Sequence, residues 1–184
     1  MARSAAQRRV TPRRSLLLLL ASSVTCWGCA SGMAGPSSSA GESHPLLGAP
    51  APAFELREVG GAEQSLSAHA GKVVIVDFWA TWCQPCKQSF PVYQRLVERM
   101  GGALVVLGVS QDDDSQGIGA FRSETGAKFP LLWDDGKAVA QSYDPPTMPT
   151  AFVVDQSGIV RFVHVGYRAG DEATLEQEVR SLLH

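Results

Sequence analysis

The sequence has few charged side chains and few cysteines, and these shortages exclude several classes of protein. Only 18% of its 184 residues are charged, and only four are cysteine. Four cysteines are too few to cross-link a small domain that lacks a hydrophobic core. The hydrophobic fraction of 45% is instead typical of one compact domain with appendages, and the length excludes two large domains. We find no internal repeat.

Basic residues are scarce after position 41. The first 41 residues contain five bases and no acid, whereas the remainder carries 11 bases and 18 acids, a balance of −7. A domain that neutralises phosphates needs the opposite balance. We therefore expect no nucleic acid among the partners. The five early bases are all arginines: Arg3, Arg8, Arg9, Arg13 and Arg14.

The sequence also lacks an apolar run long enough for a permanent transmembrane helix. The longest such stretch, 16–30, has 15 residues and is interrupted by serine and threonine, whereas a spanning helix needs about 20 apolar residues. It follows Arg13-Arg14, so charged and apolar regions occur in the order of an export signal. We predict an export signal over residues 1–28 and a chain exported to the bacterial cell envelope or periplasm.

The end of this stretch suggests a lipid anchor. Gly28-Cys29-Ala30 resembles the lipobox of bacterial lipoproteins, in which the cysteine thiol is acylated, so Cys29 is a candidate lipidation site. Ordinary cleavage after Ala34 or Ala40 is the alternative. Residues 29–45 are rich in glycine, serine and proline and predict a flexible tether, which leaves 46–184 as the folded domain.

Strands and helices alternate along 46–184, which predicts an α/β fold around a mixed sheet. The sequence VVIVDFW at 73–79 is apolar and β-branched, as expected for a strand buried on both faces. A turn of Asp155-Gln156-Ser157-Gly158 predicts a hairpin near the end. The predicted strands are 73–79, 104–109, 130–133, 150–154 and 159–165, and the predicted helices begin near 85, 118, 137 and 171.

Cys83 and Cys86 lie where the first buried strand gives way to a helix. Two intervening residues allow both sulfur atoms to meet within one helical turn, so that a disulfide closes with little backbone movement. The first cysteine then lies at the helix N-terminus, where free N–H groups stabilise a thiolate. We predict that Cys83 is the attacking nucleophile and that Cys86 resolves the mixed disulfide.

The segment DFWATWCQPCK at 77–87, with Pro91 five positions after the second cysteine, resembles thioredoxins. The wider sequence is similar to the exported thioredoxin-like proteins of the TlpA/ResA type over about residues 46–184. Further matches are APAFEL at 51–56, GKVV at 71–74 and Met148-Pro149-Thr150. The resemblance implies a thioredoxin-like fold, a mixed sheet flanked by helices, with an inserted strand and helix before a cis-proline loop.

The resemblance also implies roles for residues around the dithiol. Pro149 is expected to be the cis-proline, and Met148 to offer backbone groups to an extended segment of the substrate. Asp77 matches the buried acid of thioredoxins, although many TlpA/ResA relatives carry a neutral residue there. We expect a raised pKa for Asp77 and a role in accepting the Cys86 proton. The expected substrate-binding residues are Trp82, Gln84, Pro85, Met148 and Pro149.

The residues between the cysteines favour a reductant. Gln84-Pro85 contains no histidine to stabilise the thiolate of Cys83, so the reduced form is less favoured than in oxidising relatives. We expect disulfides of exported proteins as substrates, including the haem-site cysteines of apocytochrome c. A membrane thiol reductant is the expected electron donor, and no cofactor is expected.

Three other interpretations are weaker. A zinc site needs about four ligands, and the four histidines are scattered, so no metal site is expected. The second interpretation is a peroxiredoxin-like thiol peroxidase. Peroxiredoxins carry threonine three residues before the reactive cysteine, where this chain has Ala80. A copper chaperone that presents the dithiol to Cu(I) is the third. The acidic run at 112–114 predicts a solvated loop that leads to a helix.

Overall fold

The computed structural model describes residues 44–183, so the predicted export signal, Cys29 and most of the predicted tether lie outside the described part. Its main sheet has five strands in the order β5-β4-β3-β6-β7. A separate two-stranded antiparallel sheet pairs β1 with β2. The strands are β1 Glu55–Arg57, β2 Glu63–Ser65, β3 Val73–Trp79, β4 Leu104–Ser110, β5 Leu131–Trp133, β6 Thr150–Val154 and β7 Val160–Val165.

Among residues 44–183, three α-helices connect strands of the main sheet and a fourth follows β7. The longest, α1, follows β3 directly and has Pro85 near its start, where a missing N–H costs little. The helices are α1 Gln84–Met100, α2 Ile118–Thr125, α3 Ala138–Tyr143 and α4 Asp171–Ser181. The predicted α/β architecture is therefore confirmed. No helix among residues 44–183 is long and apolar enough to cross a bilayer.

The strand β3 occupies the centre of the sheet, and all seven of its residues are buried. It runs parallel to β4 and antiparallel to β6. Its side chains alternate between two hydrophobic clusters, one on each face of the sheet. The cluster that contains Ile75 and Trp79 receives α1, α2 and α4, whereas the cluster around Phe78 receives α3. Asp77 lies among the most buried positions of this strand.

The predicted hairpin joins β6 and β7. The Asp155 carboxylate accepts hydrogen bonds from the backbone N–H groups of Ser157 (2.8 Å) and Ile159 (3.0 Å). Gly158 adopts a φ of +82°, which glycine tolerates without strain. The turn chemistry visible in the sequence therefore determines where the chain reverses.

Two sequence interpretations need correction. The short β1–β2 pair was not predicted, because three-residue strands carry too little alternation to be recognised. The acidic run at 112–114 is not uniformly solvated: Asp113 and Asp114 are exposed, but Asp112 is buried. The burial of Asp112 has a structural cause, because its carboxylate receives hydrogen bonds from neighbouring segments.

Candidate active site

Cys83 and Cys86 form a disulfide at the start of α1, with an S–S distance of 1.96 Å and Cα atoms 5.3 Å apart. Cys83 caps the helix, since its Sγ accepts the backbone N–H of Cys86 at 3.2 Å. Cys83 keeps 4% of its surface exposed and Cys86 none. The outer sulfur is therefore the one that a second protein can reach, and the helix N-terminus favours negative charge on it.

The residues around the disulfide divide into exposed and buried groups. Trp82 is 71% exposed, which is unusual for a large apolar side chain, and Gln84 and Pro85 are also exposed. Lys87, one residue after Cys86, pairs with Glu124 of α2 at 2.9 Å. Trp82 therefore leaves a large apolar surface open to solvent beside Cys83.

The Met148–Pro149 peptide bond is cis, and Pro149 is buried directly before β6. Because β6 runs antiparallel to β3, with Thr150 opposite Phe78, its first residues lie at the edge where β3 ends. Met148 packs against the cluster that contains both cysteines. The topology thus brings residues 148–149 and the dithiol, more than 60 positions apart in sequence, to one end of the sheet.

Asp77 is completely buried and has one hydrogen-bonded oxygen. Its Oδ1 accepts the Tyr93 hydroxyl at 3.0 Å, while its Oδ2 has no partner among the described residues. Burial raises the pKa of the Asp77 carboxyl well above its ordinary value, and the bond from Tyr93 opposes this rise. Burial and the nearby Asp77 also raise the pKa of Tyr93. The carboxyl therefore holds its proton to higher pH than an exposed aspartate does.

Two further buried polar residues, Ser89 and Tyr93, follow the dithiol along α1. Ser89 is fully buried and donates to the Cys86 carbonyl at 3.1 Å, and Tyr93 follows one turn later. Tyr93 lies seven residues after Cys86 and therefore on the same buried face of α1. Its hydrogen bond to Asp77 shows that its hydroxyl faces β3.

Asp112 is a second residue that the sequence did not identify. Its carboxylate accepts the backbone N–H of Thr81 at 3.0 Å and the Thr81 hydroxyl at 2.8 Å. Thr81 belongs to the turn in which the Cys83 N–H donates to the Ala80 carbonyl at 3.1 Å. No group of three or more histidine, cysteine or acidic side chains among residues 44–183 is arranged to hold a metal ion.

The comparisons with known proteins agree with this geometry. A model of the AhpC/TSA family matches residues 47–163. The thioredoxin-like protein YneN of Bacillus subtilis is 34% identical over 122 residues, which cover 65% of this chain and 71% of the relative. The thiol-disulfide oxidoreductase ResA of Geobacillus kaustophilus is 29% identical over 138 residues, with 74% and 78% covered.

A solved structure supports the same assignment. A crystal structure assigned to the thiol:disulfide interchange protein DsbE of Chlorobium tepidum superposes with a TM-score of 0.71 and 34% identity. The match covers 75% of this chain and 98% of that one, and it confirms the thioredoxin-like fold. The chain therefore belongs to the AhpC/TSA family and is a thioredoxin-like thiol-disulfide oxidoreductase similar to ResA.

Proposed function

We propose that this chain reduces disulfides in exported proteins by dithiol-disulfide exchange through Cys83 and Cys86. The observation that carries the proposal is the disulfide at the start of α1, with Cys83 as the outer, helix-capping sulfur. The absence of histidine between the cysteines supports reduction as the direction, because less thiolate stabilisation makes the pair more reducing.

The reaction proceeds in two exchanges. The Cys83 thiolate attacks a substrate disulfide, forms a mixed disulfide and displaces one substrate thiolate. Cys86 then attacks the Cys83 sulfur and releases the second substrate thiolate. The substrate has gained two electrons and takes up two protons, while the Cys83–Cys86 pair has become a disulfide. A thiol reductant must then reduce the pair before another cycle.

Asp77 is proposed as the base that takes the Cys86 proton during the second exchange. Its raised pKa and its hydrogen bond from Tyr93, which lies two helical turns after Cys86 on α1, support this role. A base works best when its pKa lies near the working pH. The unpartnered Oδ2 is the oxygen free to receive the proton.

The substrate is proposed to dock across the end of the sheet where the dithiol lies. Trp82, Gln84 and Pro85 supply exposed surface beside Cys83, and Met148 and Pro149 supply the loop before β6. An extended segment at that loop would pair with its backbone, as in strand addition. Because the Trp82 side chain is flat and exposed, it can contact substrate proteins of different shapes, whereas a closed pocket would select one shape.

Export is supported by the arginines and the apolar stretch over residues 1–28. We propose that the chain works in the bacterial cell envelope or periplasm, held to a membrane by a lipid on Cys29 and by the tether at 29–45. Oxidised exported proteins, apocytochrome c among them, are the proposed substrates. A membrane thiol reductant is the proposed source of electrons, because this compartment oxidises unassisted dithiols.

The test is the Cys86→Ser variant, which removes the resolving thiol. We expect it to accumulate mixed disulfides with exported proteins through Cys83, while wild type turns over a reducible protein substrate. Cys83→Ser is the matched control and should trap nothing. Trapping that depends on Cys86 alone, or rapid peroxide consumption with no disulfide reduction, would contradict the proposal.

A further inference from the structure

The buried carboxylate of Asp112 contacts the turn that presents the dithiol. Its oxygens accept four hydrogen bonds, two of them from one Thr81 N–H. The other two donors are the Thr81 hydroxyl and the Ser110 hydroxyl, each at 2.8 Å. With 7% of its surface exposed, Asp112 is nearly as buried as the cysteines. These hydrogen bonds and this burial fix the position of the Asp112 carboxylate beside the turn.

The parallel pairing of β3 and β4 explains why these residues meet. The strands stay in register to their last pair, Trp79 with Ser110, and the Gln111 N–H donates to the Trp79 carbonyl at 2.7 Å. Two residues beyond the ends of the strands, Thr81 and Asp112 therefore face each other. The carboxyl ends of parallel strands share one edge of a sheet, and here that edge carries Cys83.

The negative charge on Asp112 lies close enough to Cys83 to affect its ionisation. Two residues of chain span at most about 7 Å, so the carboxylate lies within about 10 Å of the Cys83 backbone nitrogen. At that separation and an effective dielectric constant of about 20, one charge changes an ionisation equilibrium by on the order of tenfold. The interaction between the Asp112 carboxylate and a Cys83 thiolate is repulsive, because both groups are negative.

The charge is not neutralised at the carboxylate itself. Among residues 44–183, its oxygens receive hydrogen bonds only from neutral donors, and no cationic side chain forms an ion pair with it. The Lys137 ammonium and the Trp133 indole instead donate to the Asp112 backbone carbonyl. These two contacts link the β5–α3 segment to the active-site turn, and Lys137 offsets part of the negative field.

We propose that Asp112 is a positioning residue for the dithiol. Asp112 holds the turn before Cys83 through its hydrogen bonds with Thr81, and its fixed negative charge disfavours the Cys83 thiolate. A less stable thiolate makes the reduced pair less stable, and the dithiol is then a stronger reductant. The inference rests on the proposed function, because it assumes that Cys83 is the attacking sulfur.

The test is Asp112→Asn, which keeps the shape and an accepting oxygen but removes the charge. We expect the Cys83 thiolate absorbance to appear at lower pH, and the equilibrium constant for reduction by glutathione to shift toward the reduced pair by about threefold to tenfold. A tenfold shift corresponds to about 30 mV for this two-electron couple. Asp113→Asn, an exposed neighbour with the same change in net charge, is the control and should shift neither quantity.

Two further variants separate charge from structure. Thr81→Val removes one hydrogen bond but keeps the Asp112 charge, so its equilibrium constant should stay within about twofold of wild type. Asp112→Ser is a second neutral variant, which replaces Asp112→Asn in these measurements if the asparagine variant does not fold. If both neutral variants lower the stability but leave the potential and the thiolate titration unchanged, the inference is overturned. A wild type without disulfide reductase activity would instead refute the proposed function, which the potential measurements do not test.

Discussion

Asp77 is the residue whose environment departs most from its ordinary one. A carboxyl at the centre of a five-stranded sheet has lost its water, and a single hydroxyl, that of Tyr93, replaces it. Desolvation of this kind penalises the charged form, so the Asp77 carboxyl ionises at a higher pH than it would in water. This arrangement costs stability at neutral pH and is therefore expected where chemistry uses the proton.

This cost predicts that Asp77→Asn stabilises the protein. The folded pKa of Asp77 lies above its unfolded value near 3.8, so its contribution to stability is complete below that pH and is lost as the pH rises. Asparagine is neutral throughout, so its contribution to stability does not change with pH. We expect the oxidised variant to have the higher unfolding free energy at pH 7, because it buries no group that the unfolded chain ionises.

Urea unfolding of the two oxidised proteins at pH 7 and pH 4 provides the measurement. The difference should shrink on acidification, because Asp77 then becomes protonated in the unfolded wild-type chain as well. Resolution of the mixed disulfide should meanwhile be slower in Asp77→Asn at neutral pH. Equal unfolding free energies of variant and wild type at both pH values would refute a raised pKa for Asp77.

At the scale of elements, α2 closes the side of the dithiol turn. It begins after Gly117, where a Cβ would lie 3.2 Å from the Thr81 side chain, so that close approach favours glycine. It ends at Gly126, whose φ of +70° is left-handed and whose N–H donates to the Arg122 carbonyl at 2.9 Å. Glycine is therefore favoured at each end of this helix, for a different reason at each.

Two glycines of this region provide a matched pair of predictions. Gly126→Ala should lower the unfolding free energy by about 1 kcal/mol, because alanine is strained in the left-handed conformation. Gly119→Ala, on the exposed surface of the same helix with open space around it, should raise it by about 0.5 kcal/mol through helix propensity. Thermal unfolding of both variants measures these changes. Changes in unfolding free energy of the same sign for both variants would contradict the conformational explanation.

At the scale of the whole molecule, the disulfide couples redox state to folding. The unfolding equilibria of the oxidised and reduced proteins form a cycle with disulfide formation in the folded and unfolded chains. If the folded dithiol is strongly reducing, the folded protein favours its disulfide more than the unfolded chain does. The oxidised form of such a protein is therefore the more stable one.

We accordingly predict that the oxidised protein unfolds at higher guanidinium concentration than the reduced protein. The slopes of the two transitions should agree, since both forms bury the same surface. Each 30 mV of difference between the folded and unfolded couples is worth about 1.4 kcal/mol. A reduced form that is more stable than the oxidised form would identify an oxidant and reverse the proposed direction of electron flow.

The sequence alone predicted those features that depend on neighbouring residues. The strands of the main sheet and the helices that flank it begin and end within a residue or two of their predicted bounds, because apolar periodicity and turn residues are local signals. The spacing of Cys83 and Cys86 likewise determines their chemistry, since two intervening residues fit one helical turn. The family resemblance depended on the same short motifs, and the comparisons confirmed it.

Only the tertiary structure decided which distant groups meet. Asp77 and Tyr93 are 16 positions apart, and Thr81 and Asp112 are 31 positions apart. Their contacts depend on the packing of α1 against β3 and on the register of β3 with β4. An acidic run beyond a strand has the same local pattern whether it faces water or a neighbouring turn. The register of two parallel strands, which no short stretch of sequence encodes, buried Asp112 beside the dithiol.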